Sequence, residues 1–119
     1  MRIIEGGITA PKGFLAAGAH IGIKKVKKDL SLLYSQTPCK AAGMFTQNIV
    51  RAAPVVRNEK MIKAGNDIKG IVTISGNANA CTGQKGISDN EMMAQAMAWL
   101  MGVNKEEILT AATGIIGLQ

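Results

Sequence analysis

Apolar and polar positions along the first part of the chain come in short runs separated by turn residues. RIIEGGIT (2–9) predicts a short strand with a break at Gly6-Gly7, and Pro11-Lys12-Gly13 predicts a turn. FLAAGAHIGI (14–23) is apolar and small, a strand whose Gly18 and Gly22 admit close backbone neighbours. The lysine run after it reads as a turn, DLSLLYS (29–35) as a strand, QTPCK (36–40) as a turn and AAGMFT (41–46) as a third strand. Strand, turn and strand at this spacing predict an antiparallel meander.

The rhythm then changes. APVVRNEKMIKA (53–64) reads as a helix, with Pro54 in its first turn and Gly65 just past its end. IKGIVTI (68–74) is apolar and β-rich enough for a central strand, and SGNANACTGQKG (75–86) is a loop of glycine and asparagine. A second helix follows. Ser88 and Glu91 have the spacing of a capping box, Met93, Met97, Leu100 and Met101 fall on one face, and Gly102 supplies the stop. NKEE (104–107) starts a helical turn and ILTAA (108–112) is the last strand. Strand, helix and strand make 68–112 a crossover unit. The class is α/β in the broad α+β sense: a sheet that buries one face on helices.

The 119 residues amount to one domain or a piece of a larger one. Aromatic residues are 3% of the chain, so the core is built from aliphatic residues, alanine and methionine. No window approaches the roughly 18 apolar residues of a membrane span. MRIIEGGITAPKG has no apolar run of the secretory kind, which points to a cytoplasmic protein. Cys39 and Cys81 form no CxxC pair and have only His20 to join them, too few ligands for a zinc site. The net charge of +6 raises nucleic-acid binding, but no aromatic residue interleaves with Lys24, Lys25, Lys27 and Lys28, and no recognition motif accompanies the charge. The run is better read as a solvated turn.

Four features could carry chemistry. SGNANACTGQKG fails as a phosphate loop, because Gly76 and Gly83 are misplaced and no Gly-Lys-Ser or Gly-Lys-Thr follows. Its Asn77 and Asn79 either touch a ligand or serve their own backbone, as asparagines in such loops often do. His20 has no acidic partner within several residues; Asp29, across a turn, is the one that could approach it, and a structural role is favoured. The methionine stripe is read as core. Thr113-Gly114 sits at a strand end, where a hydroxyl and a backbone N–H can point at one spot as an oxyanion hole does. No serine, cysteine or lysine stands in a recognisable activated arrangement.

EGGITAPKGFLAAGAHIGIKKVKKDL, AAGMFTQN, AAPVVRN, ISGNANACTG and ATGIIG occur in that order. Together they closely resemble the ornithine acetyltransferases, the glutamate N-acetyltransferases of arginine biosynthesis, from about residue 3 onward. Ile74 stands before SGNANA where that family commonly has asparagine. The resemblance implies a layered α/β sandwich shared with some self-cleaving aminopeptidases. It also implies an enzyme that moves acetyl from N-acetylornithine to glutamate. Bifunctional members also take it from acetyl-CoA, as a substrate and not a resident cofactor. The precursor of such enzymes cuts itself before a threonine, which becomes the nucleophile of the β chain. Two α and two β chains then assemble into a heterotetramer. Thr113 and Gly114 match the family's oxyanion positions. On this resemblance, residues 1–119 are the N-terminal part of an α chain. The nucleophile, the substrate-binding residues and the cleavage site are expected beyond Gln119, and the piece alone is expected to be inactive. An end at Gln119 is then expected to reflect truncation, nicking or incomplete coverage. The contrasting expectation is a non-catalytic subunit or binding module whose glycine loops serve packing.

Overall fold

The computed structural model describes residues 3–117. Arg2, the first residue of the expected 2–9 strand, lies outside them, as does Gln119. Four strands, β1 (Phe14–Ala19), β2 (Leu30–Lys40), β3 (Asp67–Asn77) and β4 (Ile108–Ile115), form one sheet in the order β1-β2-β3-β4. The first two pairings are antiparallel and β3–β4 is parallel. Helix α1 (Ala53–Lys63) joins β2 to β3, and α2 (Gly83–Met101) with a 3-10 turn at Lys105–Glu107 joins β3 to β4. The parallel pair needs that long crossover, because a tight turn can join only antiparallel neighbours.

The crossover and the class are as the sequence predicts; several local expectations are not. No strand forms at 3–9, where Ala10 N–H closes a turn on the Gly7 carbonyl. The predicted strand at 41–46 is irregular as well. Phe45 and Ile62 crowd Gly43 there, so the segment lies against α1 and the meander takes β3 as its third strand. QTPCK is not a turn but the end of β2. Pro38 has no N–H to give the ladder, so pairing lapses between Tyr34 and Cys39 and resumes at Cys39↔Ile68. The 14–23 strand stops at Ala19.

Helix α2 starts at Gly83, five residues before Ser88. Ser88 and Glu91 therefore lie inside it and form no capping box; Glu91 instead accepts from Arg57 Nε at 3.1 Å. The inward stripe of α2 is Asn90, Ala94, Met97 and Ala98, all buried, with Met93 and Met101 packed beside them. Leu100 is 67% exposed, so it leaves the predicted methionine face. At 100° per residue it sits to the side of the Met97–Met101 line. Val72, Met97, Ala98 and Ile108 form the core, with Leu30 and Leu32 packed against it. Each fully buried aliphatic side chain of this kind contributes about 1.5–3 kcal/mol.

Helix α1 does more than cover the sheet. An edge strand presents unpaired backbone groups. Along β4, Asn58 Nδ2 donates to the Thr110 carbonyl at 2.8 Å and Asn58 Oδ1 accepts from Thr110 N–H at 3.1 Å. The buried Arg57 donates from Nη1 to the Ile108 carbonyl at 2.5 Å and from Nη2 to the Lys105 carbonyl at 2.6 Å. Two adjacent side chains thus bond the free edge and fix where β4 lies. The opposite face of the sheet carries Ala16, Leu33, Ile71 and Leu109 in register. The two grooves on that face, of about 190 and 240 Å³, are lined by no residue of α1 or α2.

Candidate functional site

The C-terminal ends of β3 and β4 lie side by side because the two strands are parallel. Ser75 pairs with Thr113, Gly76 with Gly114 and Asn77 with Ile115. At this end the backbones touch. A Cβ on Gly114 would lie 2.2 Å from the Gly76 carbonyl carbon and 2.5 Å from Asn77 N, and Gly114 has φ +141°. Gly76, at φ +129°, would place a Cβ 2.6 Å from Ile23 Cγ2. A side chain at Gly114 would overlap backbone, and one at Gly76 would press on the Ile23 and Lys24 side chains at a φ that favours glycine. Thr113 and Gly114 are both exposed at this strand end. A threonine hydroxyl and a neighbouring peptide are thereby held on a stiff support with an open approach, the requirement for preorganised donors.

The segment between β1 and β2 is the second part of the site. It is not a free solvated turn. The buried Asp29 carboxylate accepts from Ile21 N–H at 2.7 Å and from Lys24 N–H at 2.8 Å. Burial alone would raise its pKa. The backbone donors of Ile21, Lys24 and Ile23, and the His20 charge, outweigh that and hold it at about 2. His20 Nδ1 lies 3.3 Å from Asp29 Oδ2 and 3.1 Å from the Lys27 carbonyl oxygen. Asp29 is thus the acidic partner that His20 lacks locally, within a turn that both residues help to tie. The same turn carries Lys24 Nζ onto Ser75 Oγ, to which it donates at 2.6 Å.

The two asparagines separate. Asn79 is used at both ends of its amide: Nδ2 donates to the Gly86 carbonyl at 2.7 Å, and Oδ1 accepts from Thr82 Oγ1 at 2.5 Å. It ties the loop to the first turn of α2. Asn77 Oδ1 is buried without a hydrogen-bond partner, as is Asn90 Oδ1. Both line a cavity of about 180 Å³ with Ile74, Met93 and Ala112. Another cavity, of about 440 Å³, lies between α1 and the N-terminal half of α2 and is lined by none of Thr113, Gly114, Asn77 or Asn79. Cys39 and Cys81 are free thiols. Among the described residues, no three His, Cys, Asp or Glu side chains gather as a metal-ligand set, and no helix is long and apolar enough to cross a membrane.

Sequence reasoning singled out Thr113 and Gly114, and Asp29 as the acid able to approach His20, but missed Lys24, Arg57 and Asn58. The lysine run offered a signal only in having Asp29 next to it. Arg57 and Asn58 gave none, because their partners lie about 50 residues away in sequence.

A mixed four-stranded sheet with a parallel crossover, closing on a glycine–glycine contact beside an exposed threonine, defines a mixed α/β protein with a built strand-end site. The chain belongs to the ArgJ family, whose model matches residues 15–119. It is 46% identical to the arginine biosynthesis bifunctional protein ArgJ of Caldanaerobacter subterraneus over 99% of this chain. It spans only 29% of that relative's length. Among solved structures it resembles the arginine biosynthesis bifunctional protein ArgJ of Bacillus halodurans, with TM-score 0.90, 34% identity and 95% of this chain matched to 59% of that one. It also resembles the ornithine acetyltransferase of Mycobacterium tuberculosis, solved in complex with ornithine, with TM-score 0.89, 38% identity and 95% of this chain matched to 62% of that one. The sheet and its two helices thus reproduce part of an ArgJ fold.

Proposed function

We propose that residues 1–119 furnish one wall of an acyltransferase site that moves acetyl from N-acetylornithine to glutamate in arginine biosynthesis. The observation that carries this is the strand end itself. Gly114 is pressed on Gly76 by a contact that tolerates no Cβ, and the Thr113 hydroxyl stands exposed beside it. Thr113 Oγ–H and Gly114 N–H donate to the oxygen that becomes negative when the acetyl carbonyl is attacked. They serve once when the threonine nucleophile is acetylated and again when glutamate takes the acetyl group. The nucleophile comes from a part of the protein outside this chain, and the same two donors serve the self-cleavage that frees it. Family membership supports the reaction class, and the ornithine complex of the Mycobacterium relative supports an ornithine-type donor. The bifunctional names of relatives support acetyl-CoA as a further acetyl source. The working assembly is this segment, the rest of its α chain and the β chain, paired into a heterotetramer in the cytoplasm. Asn77 contributes its unpartnered amide oxygen to the site, whereas Asn79 only shapes the loop.

Removing one donor of an oxyanion hole lowers turnover by about 10²–10³. Thr113→Ala in the full-length enzyme is expected to do the same, with an unchanged melting temperature. Wild-type turnover in the folded variant would sink the assignment.

A further inference from the structure

We propose that Lys24 is a positioning residue for the Thr113 hydroxyl, acting through Ser75; this rests on the oxyanion role given to Thr113 above. Lys24 Nζ donates to Ser75 Oγ at 2.6 Å, from a residue 51 positions away. An ammonium has three donors and no acceptor, so Ser75 Oγ accepts in this contact and keeps its own proton to give onward. Ser75 is the register partner of Thr113 across the parallel pair. Paired residues of adjacent strands send their side chains to the same face, with backbones about 4.8 Å apart. The Ser75 and Thr113 hydroxyls therefore stand on one face of neighbouring strands, and in the proposed relay Thr113 Oγ takes the Ser75 proton. Once Thr113 Oγ accepts from Ser75, its own proton is left for the oxyanion. The donors Lys24, Ser75 and Thr113 run in one direction, and the charge at the head of the chain polarises the last of them. Without Lys24, the two hydroxyls can exchange roles, and the Thr113 proton turns back onto Ser75 for part of the time.

The approach of Lys24 is built, not incidental. Asp29 holds both partners: its carboxylate accepts from Lys24 N–H at 2.8 Å, and its carbonyl accepts from Ser75 N–H at 2.8 Å. The turn also lies directly on the strand end, where a Cβ on Gly76 would meet Lys24 Cγ at 3.2 Å. Lys24 thus differs in placement from Lys25, Lys27 and Lys28, which are exposed.

The test is a mutant cycle in the full-length enzyme, reading kcat and KM for acetyl transfer from N-acetylornithine to glutamate and the rate of precursor self-cleavage. Lys24→Met is expected to lower kcat and self-cleavage about tenfold, the effect of one ordinary hydrogen bond, with KM changed less than about twofold. Lys24→Arg keeps the donor-only charge and is expected to restore most of the rate. In the Thr113→Ala background, Lys24→Met is expected to cost nothing further. Multiplied losses in the double variant, a change confined to KM, or a silent Lys24→Met beside a slow Thr113→Ala would each overturn the positioning role while leaving the oxyanion reading intact. A fully active Thr113→Ala would overturn both. Should Lys24→Met fail to fold, Ser75→Ala takes its place in the cycle and must show the same non-additivity.

Discussion

β1 and β4 are the two edges of one sheet, and they are built in opposite ways. From Leu15 to Ala19, β1 is exposed throughout, whereas Ile108, Leu109 and Thr110 at the start of β4 are all buried. The free backbone edge of β4 is bonded by Arg57 and Asn58, and its side chains meet α2 through Met97 and Ala98. The described residues provide no such cover for β1, which is held by its pairing with β2. Position at an edge therefore does not decide rigidity; what lies against the edge does. The proposed site draws on both kinds of construction. The stiff pair β3–β4 fixes where Thr113 and Gly114 stand, and the turn beside β1, held by one carboxylate, delivers the charge of Lys24.

The largest expected effect falls on the stiff pair. Gly114→Ala places a Cβ 2.2 Å from backbone at a φ of +141°, so it combines steric overlap with backbone strain. It is expected to destabilise the chain by about 3 kcal/mol or more, read as a shift of the urea midpoint. An unchanged midpoint would mean that the two strand ends are not in contact.

Acidification separates the two regions by a different route. The folded Asp29 carboxylate stays ionised down to about pH 2, against an ordinary 3.8. Its contribution is complete above about pH 3.8 and is lost as the pH falls from there through about 2. Amide-exchange protection of Ile21 and Lys24 should therefore collapse across that window, while that of Val72 and Thr110 persists. Equal loss in both groups, or a window that survives in Asp29→Asn, would break the comparison. The smallest effect belongs to β1. Leu15 is 52% exposed, and Leu15→Ala should change the stability of the chain by less than about 0.5 kcal/mol. A loss of 2 kcal/mol or more would show that this edge is covered after all.

The sequence carried the crossover and the strand-end position of Thr113 and Gly114 well. IKGIVTI and ILTAA are short apolar runs with β-branched residues, which favours strands, and the segment between them has helical period and a glycine stop. Thr113 and Gly114 were legible as a strand-end pair because a strand end is a local feature. The errors came where a residue had two uses. Phe45 suits a strand, but its ring lies over Gly43 instead, where Ile62 of α1 also comes close. Glu91 suits a capping box, but the helix begins earlier and its carboxylate goes to Arg57.

What the sequence determined by itself was the mixed α/β class, the strand–helix–strand order, the strand-end threonine and glycine, and, through its ordered motifs, the family. Period, turn chemistry and capping act within a few residues, so they can be read along the chain. Only the tertiary structure decided that Asn79 closes a loop while the Asn77 amide oxygen is buried without a partner, that Arg57 and Asn58 guard β4, and that Lys24 lies on Ser75. Those pairings depend on which strands become neighbours and in what register, and that is fixed by the packing of the whole sheet against its helices.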